Sequence, residues 1–301
     1  MKKKIGVIIT LITLMYIFST FQVSNDKVIF VDKGTIWSGN IETNEFKTIL
    51  SRSFITNVFY ISADIVNREK IYRFNNDEYI FSLAYDKNNK RLYAITENKY
   101  SNDYSLKEIY DGKETTIKKL GNSRRYFQLY YCNDRLYYWV DDRNKNRIFL
   151  EIFDLNKREI KTRIPVVKIG ANINCFDDIL VYSSVQGNKK NIYAVKDDSV
   201  ISLFLENMIA PIKNSDTEMI CLDGTNLNNI YLYDLESGQR KLIGKNDGRA
   251  WCRHAFILSN RQYYITKKNI HGYDIQEWYT INDLNGGMQI LFVDGPIISS
   301  I

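Results

Sequence analysis

The sequence predicts an all-β protein, a β-propeller of four-stranded antiparallel blades, and two features support this fold class. The first is a series of short apolar runs separated by polar turns, with no helical periodicity sustained for three turns after residue 26. The runs begin at Val28, Val58, Leu92, Leu136, Leu180, Met219 and Tyr263. A repeat of about 40 residues that is built only of strands is typical of propeller blades.

The second feature is a recurring motif at the end of an aromatic-rich strand, as in NIYLYDLESGQRKLIG at 229–244. Similar motifs place Asp154 and Asp283 where this one has Asp234, and a looser copy has Asn40 at that position. Asp and Asn side chains accept hydrogen bonds from backbone groups two residues on, so they favour tight turns. We interpret the motif as the hairpin between the third and fourth strands of a blade, and its aspartates as turn formers.

The number of apolar runs favours seven blades. Six is the alternative, because the first two repeats are short and could form one irregular blade. Runs such as LYYWV at 136–140 are apolar at consecutive positions, as expected for sheets that are covered on both faces. The terminal segment 295–301 is left over as a strand. We expect it to pair with the first blade, which would close the ring and remove an exposed edge.

The N-terminal segment 1–26 is predicted to direct the chain to a membrane, ahead of a propeller domain at 27–301. Three lysines precede the uncharged, mostly apolar stretch 5–22, which is long enough to cross a bilayer as a helix. Its positive end should stay in the cytoplasm. A small-residue cleavage motif is missing, which favours an uncleaved anchor over a cleaved signal peptide. The propeller is therefore expected at the extracytoplasmic face of a bacterial cell membrane, or secreted if cleavage occurs.

Charge and composition argue against several functions. The formal net charge is +6, half of it from Lys2, Lys3 and Lys4, and the remaining charges are interspersed, so nucleic-acid binding is not expected. The two histidines, His254 and His271, stand in no zinc-binding motif. We expect no metal, no cofactor and no local catalytic constellation.

The four cysteines leave two interpretations open. Cys132 and Cys175 occupy similar points of successive blades, and Cys221 lies one strand further out. Equivalent positions on neighbouring blades are generally too far apart for a disulfide, whose Cα atoms lie within about 7 Å. Buried free thiols are therefore favoured, and one disulfide, involving Cys252, is the alternative.

The candidate ligand-binding residues lie where innermost strands begin, at 123–127, 171–175 and 249–254. Such strands frame the central channel of a propeller, and concave sites with converging polar groups are the default binding hypothesis. Arginine together with tryptophan suits an acidic or sugar-like partner through paired hydrogen bonds and stacking. The candidates are Arg124, Arg125, Asn172, Asn174, Arg249, Trp251, Arg253 and His254.

The pattern x-IY-x-YDL-x-x-G-x-x-x-x-L at 229–242 resembles the repeats of TolB-like and related propellers of bacterial envelope proteins. The resemblance implies a binding or scaffolding module. Some members of this group carry a hydrolase domain, but the G-x-S-x-G nucleophile motif is not found in this sequence.

These observations predict an extracytoplasmic, membrane-tethered propeller that binds a protein or a cell-wall glycan. The membrane contact would be made by residues 5–22 if they are not cleaved. The alternative is a propeller-fold glycan hydrolase or lyase whose acids come from several blades, because such acids would leave no local signature.

Overall fold

The protein is all-β and forms a ring of four-stranded antiparallel sheets. The computed structural model describes residues 19–46, 64–166, 169–176, 179–186, 188–196, 200–213, 215–225, 229–245, 255–257, 263–268, 277–283, 288–293 and 297–299. Within these residues, no helix has the length and apolar character needed to cross a bilayer.

Five blades are each made of four consecutive strands. The described part of the chain begins with β1 (Ser19–Asp32), β2 (Thr35–Phe46) and β3 (Asp64–Arg73). Blade A follows with β4 (Glu78–Asp86), β5 (Arg91–Asn98), β6 (Tyr104–Tyr110) and β7 (Lys113–Gly121). Blade B contains β8 (Arg125–Cys132), β9 (Arg135–Asp142), a 3-10 turn (Arg143–Lys145), β10 (Arg147–Asp154) and β11 (Glu159–Val166).

The second half of the chain continues the same order. Blade C contains β12 (Ile169–Phe176), β13 (Ile179–Gln186), β14 (Lys189–Lys196) and β15 (Val200–Leu205). Blade D contains β16 (Met208–Lys213), β17 (Glu218–Asp223), β18 (Asn229–Asp234) and β19 (Arg240–Lys245). Blade E contains β20 (Ala255–Ile257), β21 (Tyr263–Lys268), β22 (Glu277–Asp283) and β23 (Met288–Val293).

A composite sheet, the closing sheet, joins the two ends of the chain. The last strand, β24 (Ile297–Ser299), pairs antiparallel with β1, and the order is β24-β1-β2-β3. Register partners are Val28 with Ser299 and Phe30 with Ile297. The expected pairing of the terminal segment with the first sheet is confirmed for its described residues, Ile297–Ser299.

The predicted count of seven blades is wrong. The described strands form five blades of consecutive strands and the closing sheet. The repeats counted from Val28 and Val58 do not make two blades, because the chain up to Arg73 supplies just three described strands, all in the closing sheet. Val58 itself and residues 1–18 lie outside the described residues, and the stretch from Ser19, predicted as the end of the helix, is part of β1.

The hairpin prediction is confirmed for three of its four copies. Asp234, Asp154 and Asp283 each end the third strand of a blade. The Asp234 carboxylate accepts the backbone N–H groups of Glu236 (3.0 Å) and Ser237 (2.7 Å). The looser copy is wrong, because Asn40 lies inside β2 and pairs with Lys27 and Val66.

The core consists of apolar layers between neighbouring sheets. Separate clusters lie between the closing sheet and blade A, between A and B, between B and C, and between C and D. Residues 136–140 of β9 are all buried because adjacent side chains point into two different layers. Consecutive apolar residues in a second strand are thus explained by coverage on both faces.

First strands surround the ring axis. β4 contacts β8, β8 contacts β12, β12 contacts β16, β16 contacts β20, and β24 contacts β4. The register of β4, β8, β12 and β16 shifts within each strand, which marks a bulge. Each first strand runs from one end of the ring, here called the mouth end, to the opposite end, here called the far end.

A disulfide joins Cys132 at the end of β8 to Cys175 near the end of β12, with their Cα atoms 6.2 Å apart. The expectation that these two cysteines are too far apart is wrong. Equivalent positions of neighbouring blades are distant on outer strands, but first strands converge on the axis. Cys221 lies on the second strand of blade D as a buried free thiol, and burial raises the pKa of this thiol to about 12.

Removal of the last seven residues should destabilise the whole ring. A chain that ends at Asp294 leaves Val28, Ile29 and Phe30, all buried, at an open sheet edge. Partial exposure of such side chains is expected to lower the free energy of unfolding by about 3 kcal/mol. Urea denaturation followed by circular dichroism measures this difference. A chain that ends at Ser300 keeps β24 and is the control, and equal midpoints for both truncations would contradict closure.

Reduction of the disulfide should also lower stability. The cross-link spans 43 residues, for which chain-entropy reasoning gives roughly 2–4 kcal/mol. Dithiothreitol should lower the urea midpoint of the wild-type protein but leave a Cys132→Ser/Cys175→Ser protein unchanged. Cys221→Ala should respond to the reductant as the wild type does. A wild-type midpoint that is insensitive to reductant would rule out the cross-link.

Candidate functional site

Aromatic and basic side chains are exposed together at the mouth end of blades A and B. Tyr79 and Phe81 lie near the start of β4, and Tyr100 lies in the β5–β6 connection at the same end. Tyr100 is 80% exposed, and Tyr79 and Phe81 are each 40% exposed. Arg125 begins β8 next to them and is exposed. We call Tyr79, Phe81, Tyr100 and Arg125 the mouth surface.

Buried aromatic rings support this surface from below. The Phe81 ring meets Tyr104 edge-on at 5.4 Å between centroids. Tyr104 then contacts Tyr126 at 5.4 Å, and Tyr126 contacts Tyr138 at 6.1 Å. Ring pairs at these separations are favourable beyond the area they bury. Phe81 is therefore anchored to the core between blades A and B although a large part of it faces solvent.

Lys99 places a positive charge at the edge of the mouth surface. Its ammonium group lies 4.7 Å from the centre of the Tyr79 ring and donates a hydrogen bond to the carbonyl of Asn76. A cation over an aromatic ring is attracted to the negative ring face. Together with Arg125, Lys99 gives the exposed aromatic residues two basic neighbours.

Arg125 faces an acidic group of blade A. Burial raises the pKa of the Glu97 carboxyl, whereas a hydrogen bond from Tyr104 and the charge of Arg125 oppose that shift. Burial and then the charge of Glu97 raise the pKa of Tyr104 to about 12, so its hydroxyl stays protonated. Tyr104 is therefore a permanent donor to Glu97, while Arg125 remains exposed to solvent.

Arg124 is engaged inside the protein. Its Nε donates to Asp142 Oδ2 at 3.1 Å, and its Nη1 lies 3.8 Å from Glu151 Oε1. Glu151 also accepts from Arg163 Nε at 2.6 Å. Both carboxylates are buried. Charges in such a position require partners, so Arg124 contributes mainly to the structure of blade B.

Asn174 is likewise a structural residue. It is buried in β12, where its Oδ1 accepts from the Tyr130 hydroxyl at 3.3 Å and its Nδ2 donates to the Pro211 carbonyl at 2.5 Å. The side chain therefore connects three first strands, β8, β12 and β16. Its amide groups are already used, which leaves little capacity for a ligand.

The other predicted site residues are partly outside the described chain. The backbone of Asn172 belongs to β12. Arg249, Trp251, Arg253 and His254 lie outside the described residues. Of the eight candidates, Arg124 and Arg125 are thus brought to the mouth end of blades A and B, and Asn174 is buried between first strands. The aromatic residues of β4 were not identified as site residues from the sequence. The run EYIF at 78–81 precedes the apolar run that starts at Leu92, and this order could have indicated a first strand.

Comparisons with known proteins identify the fold. No family model matches the chain, and no curated protein matches it. Solved structures do match. A chain from the crystal structure of a nidogen/laminin complex has a TM-score of 0.54 and 12% identity, covering 90% of this chain and 100% of that one.

Two further solved structures are similar. TolB from Acinetobacter baumannii has a TM-score of 0.55 and 8% identity, and the match covers 89% of this chain and 66% of TolB. Acylaminoacyl peptidase in complex with Z-Gly-Gly-Phe-chloromethyl ketone has a TM-score of 0.50 and 12% identity, and the match covers 96% of this chain and 53% of the peptidase. At such identities the resemblance extends to the fold and not to TolB in particular. The chain is a β-propeller.

Proposed function

We propose that the protein is an extracytoplasmic, membrane-tethered binding module that docks a protein or cell-wall glycan partner on its mouth surface. The observation that carries the binding role is the exposed aromatic and basic group at one end of a rigid ring. Tyrosine and arginine are enriched among the residues that dominate binding energy. The anchored ring of Phe81 loses little conformational freedom on binding. This composition favours a protein partner over a glycan.

Binding is favoured over catalysis by the pairing of the two buried carboxylates nearby. Asp142 and Glu151 are the buried carboxylates behind the mouth surface, and arginine side chains hold both of them. A glycosidase needs a pair of carboxyl groups that can reach the scissile bond and exchange protons. Carboxylates that are already paired with arginines are poorly suited to that exchange.

The proposed location is supported by the disulfide and by the N-terminal sequence. Disulfides persist in oxidising compartments outside the cytoplasm and are rare within it. The three N-terminal lysines followed by an uncharged apolar stretch match the pattern that leaves the basic end inside. These two observations are independent of each other.

The mouth surface can be tested by a paired substitution. Phe81→Ser/Tyr100→Ser should weaken partner binding by about tenfold or more, because aromatic anchors typically contribute at least 2 kcal/mol. The partner is first captured from an envelope extract and identified by mass spectrometry, and its affinity is then measured by calorimetry with purified components. Leu203→Ser is the control, because Leu203 is an exposed apolar residue, 47% exposed, on the outermost strand of blade C. Equal affinities for both variants would exclude the mouth surface.

Export can be tested through the oxidation state of the cysteines. In cells that express the whole chain, rapid acid quenching and alkylation should show Cys132 and Cys175 joined. A chain that lacks residues 1–18, which precede β1, should stay in the cytoplasm with both thiols reduced. Mass spectrometry of the mature N-terminus then separates an anchor, which retains Lys2, from a cleaved signal. Identical oxidation with and without residues 1–18 would argue against export.

A further inference from the structure

A polar cleft of about 200 Å³ lies between blades A and B at the far end of the ring. β4 ends there at Asp86, and the β8–β9 and β10–β11 hairpins contribute Asp134, Asn156 and Arg158. We call it the inter-blade cleft. It lies at the opposite end of these blades from the mouth surface, so the two surfaces can be altered separately.

Charged groups on the floor of the cleft have hydrogen-bond partners within the protein. Arg91 Nη1 donates to Glu108 Oε1 at 2.8 Å. The buried Asp86 carboxylate accepts the backbone N–H groups of Asn88 (3.1 Å) and Asn89 (3.2 Å) through Oδ1. Its Oδ2 accepts the Asn89 side-chain amide at 2.8 Å. The floor is thus acidic in composition, but its carboxylates already have partners.

The walls are fixed by contacts between the two blades. The Tyr93 ring of blade A stacks on the Tyr131 ring of blade B at 5.7 Å with an interplanar angle of 13°. Tyr131 donates its hydroxyl to Asp134 at 3.2 Å. The β10–β11 turn is held by Asp154, which accepts the backbone N–H of Lys157 at 2.9 Å. The cleft is therefore preformed on rigid elements.

Unused hydrogen-bonding groups remain at the rim. The side chains of Asn156 and Arg158 make no hydrogen bond or ion pair with any other described residue, and both residues are exposed. Arg91 has donors beyond the one given to Glu108, and its side chain is 44% exposed. Glu108 Oε2 accepts no hydrogen bond from the described residues. Donors and acceptors are therefore both available to a ligand.

This combination favours a neutral ligand that can both donate and accept. A hydroxyl group does both, and a neutral molecule suits a cleft that is lined by charges of both signs, three carboxylates and two arginines. Ile117 and Leu155 add an apolar wall for the C–H face of a ring. The cleft is smaller than the roughly 300–1,000 Å³ of sites for drug-sized ligands. A metal ion does not fit, because the described residues hold no group of three or more His, Cys, Asp and Glu side chains suited to one.

We propose that the inter-blade cleft is a second binding site that accepts one sugar unit of a neutral saccharide. Arg158 and Asn156 bond the hydroxyl groups from the rim, and the Arg91–Glu108 pair offers a donor and an acceptor from the floor. The apolar ring face lies against Ile117 and Leu155. This site does not depend on the partner that docks at the mouth surface.

The test is saturation-transfer NMR on the purified full-length protein, which detects weak binding. The probes are glucose, N-acetylglucosamine and their β-1,4-linked disaccharides, with glycine as a zwitterion and inorganic phosphate as an anion. At least one saccharide should receive saturation from the protein. Arg158→Ala should weaken its binding by about tenfold, as expected for a lost hydrogen bond to a charged group.

Arg147→Ala is the matched control, because Arg147 is an exposed arginine of the same blade at the mouth end of β10. It should bind the saccharide as the wild type does, and so should Phe81→Ser/Tyr100→Ser, which tests the mouth surface. Circular dichroism melting checks that each variant is folded. Three results would overturn the proposal: no saturation of any saccharide, stronger binding of glycine or phosphate, or saccharide binding that Arg158→Ala leaves unchanged.

Discussion

The ring depends on side-chain connections between its first strands. The Ser82 hydroxyl of β4 accepts the backbone N–H of Leu129 in β8 at 2.8 Å. Tyr130 of β8 donates to Asn174 of β12, and Asn174 donates to the Pro211 carbonyl of β16. The disulfide repeats the connection between β8 and β12. Bulges place a residue of each strand outside the regular ladder, and a polar group buried there needs a partner. The neighbouring first strand supplies this hydrogen-bond partner, and these contacts fix the spacing of blades A to D.

Buried charges add a second constraint, within blades A and B. Lys107 in β6 and Glu151 in β10 occupy the same position, three residues before the end of the third strand, and both are buried. The Lys107 ammonium lies 2.6 Å from Glu78 and 2.5 Å from Glu114, whereas Glu151 is paired with Arg163. Because Lys107 and Glu151 carry opposite charges, exchanging β6 and β10 would leave a buried charge unpaired, at a cost of roughly 3–5 kcal/mol. The two positions thus distinguish blades whose apolar patterns are alike.

The sequence predicted features that depend on neighbours along the chain. Asp234 and Asp154 could be recognised because their turns close within a few residues, and the buried second strands because both faces carry apolar residues. The disulfide and the role of Asn174 could not be recognised in this way. The partners of Asn174 are 44 and 37 residues distant in sequence, and contacts at such separations depend on how far first strands converge. The blade count was wrong for a related reason, since the short spacing at the start of the chain reflects a sheet that takes its first strand from the C-terminal segment.

The direction of β1 determines which end of the ring a tether would hold. β1 is the second strand of the closing sheet, and second strands run from the far end towards the mouth end, as β5 does between Arg91 and Asn98. The chain therefore enters the ring at the far end. In the proposed location, a tether on the N-terminal side of the ring would hold it by that end and direct the mouth surface away from the bilayer, where a large partner has access. The inter-blade cleft would then face the narrower space next to the membrane, which suits a single sugar unit better than a folded protein.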